Sequence, residues 1–410
     1  MPALLLTLLL ASLASSAQRH HFQFGSGHLD QSSIYTATSR QGFEDASAIA
    51  CDVHECGSDK PFFFSIDLPE GNYDVTVKLG AVTDMTLRAE ARRLIASHLN
   101  MPTTLKFTVN VRYPEISTGG TVRLNDREVG TRTWDKRLSL EFNGRRAAIQ
   151  TLDIQQTDKA ITVYLAGDST VVDQTAEPWA AWGQMLPQFF KQGVSIANHA
   201  ESGRALKSFL ADKRLDKILS MIVKGDYLFI QFTHNDQKPG SSYVEPFTTY
   251  KEHLKLYIGE ARKHGAIPVL VTSMHRRTFD NSGKITNSLK EYPEAMRQTA
   301  AEEKVALIDL TAMSQLFYES MGSEGSIKAF VHYPAGTFPG QQRELKDNTH
   351  FNGYGAYQLA QCIVEGIRAN HLGLVKYLRS DIPHYDAAHP DDVSKWNLPL
   401  SPQSSARTPF

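Results

Sequence analysis

Two patterns of apolar and polar residues follow each other along the chain. From residue 19 to residue 156, short segments rich in β-forming residues, such as PFFFSIDLP and NYDVTVKLG, are separated by Gly, Pro and Asn turns. This spacing is typical of a β-sandwich. After residue 156, apolar runs such as ITVYLA, YLFIQF and IPVLVTS alternate with helical segments such as YKEHLKLYIGEARKHG. That alternation predicts a parallel sheet covered by helices on both faces.

One segment of the first region departs from the β pattern. The stretch TLRAEARRLIASHL has a helix-forming composition, and its Arg92 and Arg93 are predicted to lie on a solvated helix face. Exposed aromatic residues can stack against sugar faces. The aromatic candidates for this role are Trp134, Tyr35, Tyr73 and Phe43. The alternative, which we favour, is that the region orders or extends a neighbouring cleft.

Both ends of the chain differ from the regions between them. Residues 3–14 form a short Leu-rich run followed by Ser15, Ser16 and Ala17, which predicts a signal peptide over residues 1–17 and a secreted or periplasmic protein. The run is too short to span a bilayer, and no second apolar run approaches the length of a membrane helix. Residues 376–410 are rich in Pro, Asp and Ser, and they are predicted to be loose from Ser401 onward.

Composition narrows the function classes. The chain has 410 residues, which is long enough for two globular domains. Its composition, 41% hydrophobic and 21% charged, is ordinary for globular proteins. A net charge of −1 without a long basic block argues against a nucleic-acid partner, and the apolar runs give no reason to expect a membrane partner.

Cys51 and Cys56 are close enough to close a small disulfide loop, whereas a zinc site with His54 lacks a fourth ligand. Cys362 lies in an apolar helical segment and is given no chemical role. The oligomeric state does not follow from composition.

The strongest candidate for chemistry is a serine directly after a predicted strand. Gly167, Asp168, Ser169 and Thr170 follow the run ITVYLA. In open α/β sheets, active sites collect at the carboxyl ends of strands, so a serine at this point is a candidate nucleophile. The alternative is an ordinary turn, because Gly, Asp and Ser dominate turns for backbone reasons alone.

A possible base and its orienting group lie near the other end of the chain. In KDNTHFNGYGAYQLA, Asp347 and His350 are three residues apart and precede an apolar helical stretch. Residues at this spacing are neighbours on a helical turn, so the carboxylate could hold one imidazole nitrogen while the other reaches a nucleophile. The alternative is that Asp347 caps the helix.

Two further segments contain donors that could stabilise an oxyanion. Gly203 follows the predicted strand in SIANHAESGRALKSFL, where its backbone N–H can face a site without interference from a Cβ atom. Asn235 follows the strand in YLFIQFTHND, and its side-chain amide is a hydrogen-bond donor. Acyl transfer needs such donors because negative charge develops on the carbonyl oxygen.

These four segments, in this order, resemble the four sequence blocks of the SGNH, or GDSL-type, hydrolases. The resemblance covers residues 158–375, and within that superfamily the chain looks most like the rhamnogalacturonan acetylesterases. It implies a flavodoxin-like, three-layer α/β/α domain, preceded here by an all-β, galactose-binding-like sandwich over residues 18–157. The third block departs from the usual Gly-His-Asn-Asp, because Thr233 stands in place of the glycine. A threonine would be strained there if the position required a positive φ.

The resemblance also implies residue roles. Ser169 would be the nucleophile and Asp347 and His350 would complete a triad, while the N–H groups of Ser169 and Gly203 with the amide of Asn235 would form the oxyanion hole. No metal or organic cofactor is required. The implied reaction is deacetylation of a pectic polysaccharide, most naturally rhamnogalacturonan. Similar C-terminal tails pack on the catalytic domain, and Trp396 and Leu398 are the candidates to pin this one.

Substrate contacts are predicted from charge alone. Pectic backbones carry galacturonate carboxylates, which cations at the rim of the site would suit. The candidates are Arg204, His275, Arg276 and Arg277. Three alternatives stay open: an SGNH esterase acting on another acetylated glycan such as xylan, one acting on a lipid or thioester, and an inactive carbohydrate-binding homologue.

Overall fold

The computed structural model describes residues 18–402. The predicted signal peptide, at residues 1–17, therefore lies outside the described residues, as do residues 403–410.

Residues 18–157 fold into two antiparallel sheets that pack face to face. The strands are β1 (Arg19–Gln23), β2 (Gln41–Phe43), β3 (Ala50–Cys51), β4 (Cys56–Ser58), β5 (Phe62–Asp67), β6 (Gly71–Leu79), β7 (Met85–Ala89), β8 (Arg93–Leu99), β9 (Thr104–Val111), β10 (Arg137–Asn143) and β11 (Ala147–Thr157). One sheet has the order β3-β4-β11-β6-β9 with β1 beside β11, and the other has the order β2-β5-β10-β7-β8. Phe24, Phe43, Phe64 and Phe142 lie in the core between the sheets. The predicted all-β sandwich is confirmed.

The segment predicted to be a helix is a β-hairpin instead. It forms β7 and β8, which pair antiparallel around a tight turn in which Glu90 and Arg92 have positive φ values of 55° and 65°. Arg93 is only 1% exposed, and Arg92 is also buried, so the prediction of a solvated face was wrong. Leu94 of this hairpin packs in the core of the following α/β region. Tertiary packing has therefore overridden the helix propensity of Ala, Arg, Glu and Leu.

The α/β region contains a parallel sheet with the order β13-β12-β14-β15-β16. Its strands are β12 (Ile161–Gly167), β13 (Val194–Asn198), β14 (Tyr227–Gln231), β15 (Ile267–Val271) and β16 (Ala306–Ile308), and β17 (Phe330–Tyr333) and β18 (Leu345–Phe351) form a separate antiparallel pair. The helices are α1 (Trp182–Met185), α2 (Leu206–Ala211), α3 (Arg214–Leu219), α4 (Lys251–Lys263), α5 (Tyr292–Glu303), α6 (Leu310–Gly325) and α7 (Gly353–Ala369).

Alternate side chains of β12 enter the two cores of this region, as the period of a strand requires. Val163 and Leu165 pack with α1, α6 and α7, whereas Tyr164 and Ala166 pack with α2, α3, α4 and α5. A sheet buried on both faces explains why its strands read as continuous apolar runs. The predicted three-layer architecture is confirmed.

The sandwich and the α/β region meet along a polar, largely buried surface. The amide of Asn72 donates to the Thr162 hydroxyl (2.8 Å), and the N–H of Gly193 donates to the Thr108 hydroxyl (2.9 Å). Lys217, which is fully buried, forms an ion pair with Glu70 at 2.7 Å. These contacts join β6, β9 and the residue before β6 to β12, to the residue before β13 and to α3.

The C-terminal segment runs from the α/β region back to the sandwich. Trp396 packs on Tyr357 and Tyr354, with ring centroids 5.1 and 6.1 Å apart, and Leu398 contacts the same core. Ser401, predicted to be loose, is instead 5% exposed, and its hydroxyl donates to Glu141 of β10. The prediction missed this because the partner of Ser401 lies 260 residues away in the chain.

Several smaller features complete the fold. Cys51 and Cys56 form a disulfide, and Cys362 is buried and unpaired in α7. Of the aromatic residues considered for sugar binding, Trp134, Tyr73 and Phe43 are buried. Among residues 18–402, no helix combines the length and apolar character needed to cross a bilayer.

Candidate active site

Ser169 lies in a tight turn at the carboxyl end of β12, the strand between β13 and β14. Gly167 is required at the start of this turn, because a Cβ atom there would approach Val171 Cγ2 to 2.6 Å. The carboxylate of Asp168 accepts hydrogen bonds from the N–H (2.9 Å) and hydroxyl (2.7 Å) of Thr170. Burial raises the pKa of Asp168, although Thr170 opposes this shift. Gly167 and the hydrogen bonds between Asp168 and Thr170 therefore fix the backbone conformation before and after Ser169.

The structure brings Ser169, His350 and Asp347 together. The Ser169 Oγ and His350 Nε2 atoms are 2.8 Å apart, and His350 Nδ1 and Asp347 Oδ2 are 2.6 Å apart. An imidazole that donates its Nδ1–H to a carboxylate has Nε2 available to accept the serine proton. This arrangement can deprotonate a hydroxyl while it attacks a carbonyl carbon.

Asp347 stays ionised in this setting. Burial alone would raise the pKa of Asp347, but the hydrogen bond and charge of His350 and two backbone N–H donors lower it below its usual value. Those donors are the N–H groups of Thr349 (2.8 Å) and His350 (3.0 Å), both of which bond to Oδ1. One carboxylate oxygen of Asp347 thus accepts hydrogen bonds from the backbone, and the other is hydrogen-bonded to the imidazole.

The local conformation of this pair differs from the expectation. Asp347 and His350 lie in β18, not on a helical turn, and the pairing with β17 shifts register so that residues 348–350 bulge out. The Asp347 side chain closes this bulge and brings residues i and i+3 together, as a helical turn would. The cap of α7 is Asn352, whose Oδ1 accepts the N–H of Gly355 (3.1 Å), so the helix-cap reading of Asp347 was wrong.

The residues predicted for an oxyanion hole lie at the same edge of the sheet. Ser169, Gly203 and Asn235 follow β12, β13 and β14, which are neighbours. Gly203 is exposed and has a φ of 79°, a conformation that favours glycine. The Asn235 amide donates to the Arg204 carbonyl (3.0 Å), which orients its second N–H bond. Their role in binding an oxyanion stays a prediction.

Thr233 occupies the glycine position of the third block without backbone strain. It is not among the residues with positive φ, and its side chain is buried beside the Tyr250 hydroxyl (3.3 Å). Its hydroxyl also donates to the Phe232 carbonyl. The condition under which threonine would disturb this block is therefore not met.

The four predicted rim residues have different surroundings. Arg204 pairs with Asp212 (2.5 Å), and Arg277 donates to Asn348 Oδ1 (3.0 Å) within the bulge of β18. Arg276 is half-buried and donates to the His234 carbonyl (3.3 Å). His275 is buried, and burial lowers its pKa, so it does not lie on an exposed rim. Arg277 thus braces the bulge that carries Asp347 and His350, and contact of these residues with substrate stays a prediction.

Sequence reasoning missed the residues of the sandwich that hold the turn containing Ser169. Arg93 Nε donates to Asp173 Oδ2 (2.7 Å), and Asn198 donates to the other oxygen of Asp173 (2.8 Å). Both partners of the Arg93–Asp173 ion pair are almost fully buried. Asp173 lies four residues after Ser169, so a buried charge of the sandwich anchors the end of the turn.

A second set of contacts reaches the backbone of Ser169 itself. The Gln174 side-chain amide donates to the Ser169 carbonyl (2.9 Å), and the Gln174 carbonyl accepts from Arg92 Nη1 (3.1 Å) and from Gln184 (2.8 Å). Gln184 also donates to the Ala91 carbonyl (2.7 Å). The β7–β8 turn is therefore part of the support of the site, and no sequence signal marks it because each partner is distant in the chain.

The structure shows no metal centre in the part it describes. No group of three or more His, Cys, Asp or Glu residues between residues 18 and 402 has the geometry to hold a metal ion.

Several known proteins are similar to this chain. The sequence matches the GDSL-like lipase/acylhydrolase family over residues 165–356. It is 44% identical to the rhamnogalacturonan acetylesterase RhgT of Bacillus subtilis over 224 residues, which are 54% of this chain and 96% of RhgT. It is 40% identical to the probable rhamnogalacturonan acetylesterase YesY of the same organism, over 52% of this chain and 94% of YesY. The crystal structure of the Bacillus subtilis protein YxiM covers 87% of this chain and 99% of its own, with a TM-score of 0.48 and 24% identity.

Proposed function

Since the chain belongs to the GDSL-like lipase/acylhydrolase family, we propose that it is a secreted esterase that removes acetyl groups from pectic polysaccharide, with rhamnogalacturonan as the polymer. It is a serine carboxylic-ester hydrolase. The observation that carries the proposal is the Ser169–His350–Asp347 contact at the carboxyl edge of the sheet. The two relatives named as rhamnogalacturonan acetylesterases support the choice of substrate.

The proposed mechanism is a two-step acyl transfer. Ser169 Oγ attacks the acetyl carbonyl while His350 Nε2 accepts its proton, and Asp347 stabilises the imidazolium that forms. His350 then protonates the ester oxygen of the sugar as the bond between this oxygen and the acetyl carbon breaks, which releases the sugar hydroxyl and leaves an acetylated serine. Water, deprotonated by the same imidazole, releases acetate and restores the serine. The N–H groups of Ser169 and Gly203 and the Asn235 amide would hold the negative oxygen in both steps.

Export is the second part of the proposal. The Leu-rich run at residues 3–14 and the small residues after it support a cleaved signal peptide. An extracellular location also suits a polymer that cannot enter a cell, and it permits the Cys51–Cys56 disulfide to persist. Sequencing the amino terminus of the mature protein from the culture medium tests this directly, and an intact residue 1 would contradict it.

The test of the reaction is acetate release from acetylated rhamnogalacturonan and, in parallel, from acetylated xylan. Ser169→Ala is expected to lower turnover by at least about 10⁴-fold, because it removes the attacking atom. Asn235→Ala is expected to lower it by about 10²- to 10³-fold, the usual cost of one oxyanion donor. Asn235→Asp, which keeps the shape and removes the N–H donors, is expected to be similarly impaired.

Ser282→Ala is a matched control, because this serine is exposed in a turn where its N–H and hydroxyl donate to Asp280. Release from the pectic polymer alone, lost in Ser169→Ala, supports both reaction and substrate. Preference for xylan would keep the mechanism and refute the substrate. Full activity of Asn235→Ala would remove that residue from the oxyanion hole.

A further inference from the structure

We propose that Lys238 is a positioning residue for the oxyanion hole, because its ammonium group holds the Asn235 amide in one orientation and strengthens the N–H donor of that amide. The inference rests on the proposed function, since it explains how one of the predicted oxyanion donors is held. None of the residue roles that the sequence implies includes Lys238.

The Asn235 amide is held at both of its ends. Its nitrogen donates to the Arg204 carbonyl (3.0 Å), and its oxygen Oδ1 accepts from Lys238 Nζ (2.8 Å). An ammonium group can only donate and a backbone carbonyl can only accept. A flipped amide would therefore place donor against donor and acceptor against acceptor. The two contacts fix the orientation of the amide, and its second N–H bond is the one assigned to the oxyanion.

A tight turn brings Lys238 back to Asn235. The backbone N–H of Lys238 donates to the Asn235 carbonyl (3.2 Å), which is the bond of a four-residue turn. Within this turn, Asp236 Oδ1 accepts from the N–H of Leu206 (2.8 Å), the first residue of α2. Because Leu206 lies three residues after Gly203, this bond ties the turn to the segment that contains another predicted oxyanion donor.

The surroundings of the contact strengthen it. Asn235 is only 9% exposed, whereas Lys238 is exposed, so the ammonium group reaches a buried amide from the solvent side. A hydrogen bond from a charged donor is roughly twice as strong as one between neutral groups. It draws electron density toward Oδ1, and linked hydrogen bonds polarise one another, which makes the amide N–H bonds better donors. Since the oxyanion exists only in the transition state and the intermediate, this effect belongs to kcat and not to substrate binding.

The test is steady-state hydrolysis of a small, uncharged acetate ester by the full chain, because such a substrate has no carboxylate for Lys238 to bind. Lys238→Met keeps the length of the side chain and removes the ammonium group. It is expected to lower kcat by about 5- to 20-fold, which is less than the loss of the donor itself, with KM changed by less than about twofold. Lys238→Arg, which retains a cationic donor, is expected to keep kcat within about threefold of the wild type.

Lys207→Met is the matched control. Lys207 is exposed on α2, four residues after Gly203, so this variant removes the same charge near the same segment. Its kcat should equal that of the wild type. A loss as large as that in Lys238→Met would assign the effect to the general positive potential of this surface and overturn the inference.

A double-mutant cycle tests whether Lys238 acts through Asn235. Once Asn235→Ala has removed the amide, Lys238→Met is expected to cause no further loss of kcat, because the group that the ammonium holds is gone. Losses that multiply in the double variant would overturn the inference. A wild-type kcat in Lys238→Met would also overturn it, as would a raised KM with kcat unchanged, which indicates substrate binding. Failure of the proposed function would appear in a different assay, as absent acetate release from the pectic polymer.

Discussion

Glu90 illustrates how a single buried side chain sets a property of this protein. It lies in the turn between β7 and β8, where its carboxyl oxygen accepts the N–H of Ser139 (3.2 Å). Burial, opposed by Arg93 and aided by Asp135, raises its pKa to about 8. An unfolded glutamate has a pKa of about 4.3, so between these values the native state binds more protons than the unfolded state. Stability is therefore expected to fall as pH rises from about 4.3 to 8.

Glu90→Gln should weaken this pH dependence, because glutamine keeps an acceptor for Ser139 and has no proton to lose. The measurement is the free energy of unfolding in urea at about pH 5, 6.5 and 8, with Glu344→Gln, an exposed substitution, as control. The variant should lose less stability over this range than the wild type. Parallel curves for the two proteins would show that Glu90 does not titrate between those pH values.

The residues of the candidate triad show what sequence can predict at this scale. Ser169, Asp347 and His350 were predicted from their position after apolar runs and from their order along the chain, and the structure brings them into contact. The conformation of the Asp347–His350 pair could not be predicted, because it depends on a register shift between β17 and β18. A shift of this kind is set by pairing with a partner strand and not by local propensity.

At the scale of elements, the β7–β8 hairpin connects the sandwich to the turn that contains Ser169. Its residues have helix-forming composition, but Arg93 must be extended to reach Asp173, 80 residues away. Burying two charges is costly unless they pair, and removing one partner leaves the other uncompensated. The conformation of the hairpin is therefore set by contacts with residues that are distant in the sequence.

Arg93→Met is expected to lower the free energy of unfolding by about 3–5 kcal/mol, because Asp173 would stay buried without its closest cation. It should also lower kcat for a small acetate ester, since Asp173 anchors the turn that holds Ser169. Denaturant unfolding and steady-state kinetics measure the two effects.

The matched control for Arg93→Met breaks an exposed ion pair on α4. Lys263→Met removes the pair with Glu260 and should cost less than about 1 kcal/mol with kcat unchanged. A loss of stability in Arg93→Met without any change in kcat would limit the hairpin to a structural role.

At the scale of the whole molecule, the C-terminal segment ties the sandwich to the α/β region. After Trp396 packs on α7, the Pro399 and Leu400 carbonyls accept hydrogen bonds from Arg88 (2.5 Å) and Asn143 (2.9 Å) of the sandwich. The segment also forms one wall of a cavity of about 400 Å³. The cavity lies between the two regions and is lined by Arg88, Glu177, Tyr333, Phe338 and Trp396, among others.

A chain that ends after residue 392 is expected to be less stable than the full chain by about 3 kcal/mol or more, because it loses the Trp396 packing and the contacts to the sandwich. Thermal unfolding measures the difference. Trp396→Ala should reproduce part of the loss, whereas Lys395→Ala, an exposed substitution on the same segment, should not. An unchanged melting temperature in the shortened chain would mean that the segment does not hold the two regions together.

The sequence by itself determined the order of elements in the α/β region, the two-sided burial of the parallel sheet and the residues of the candidate triad. These follow from local periodicity and from the rule that sites form where parallel strands end. Tertiary structure alone decided the conformation of the β7–β8 hairpin, the burial of Arg93 and Ser401, and the bulge that brings Asp347 to His350. Arg93 and Ser401 are buried against partners 80 and 260 residues away, and burial of a charge such as that of Arg93 depends on its partner rather than on neighbouring residues.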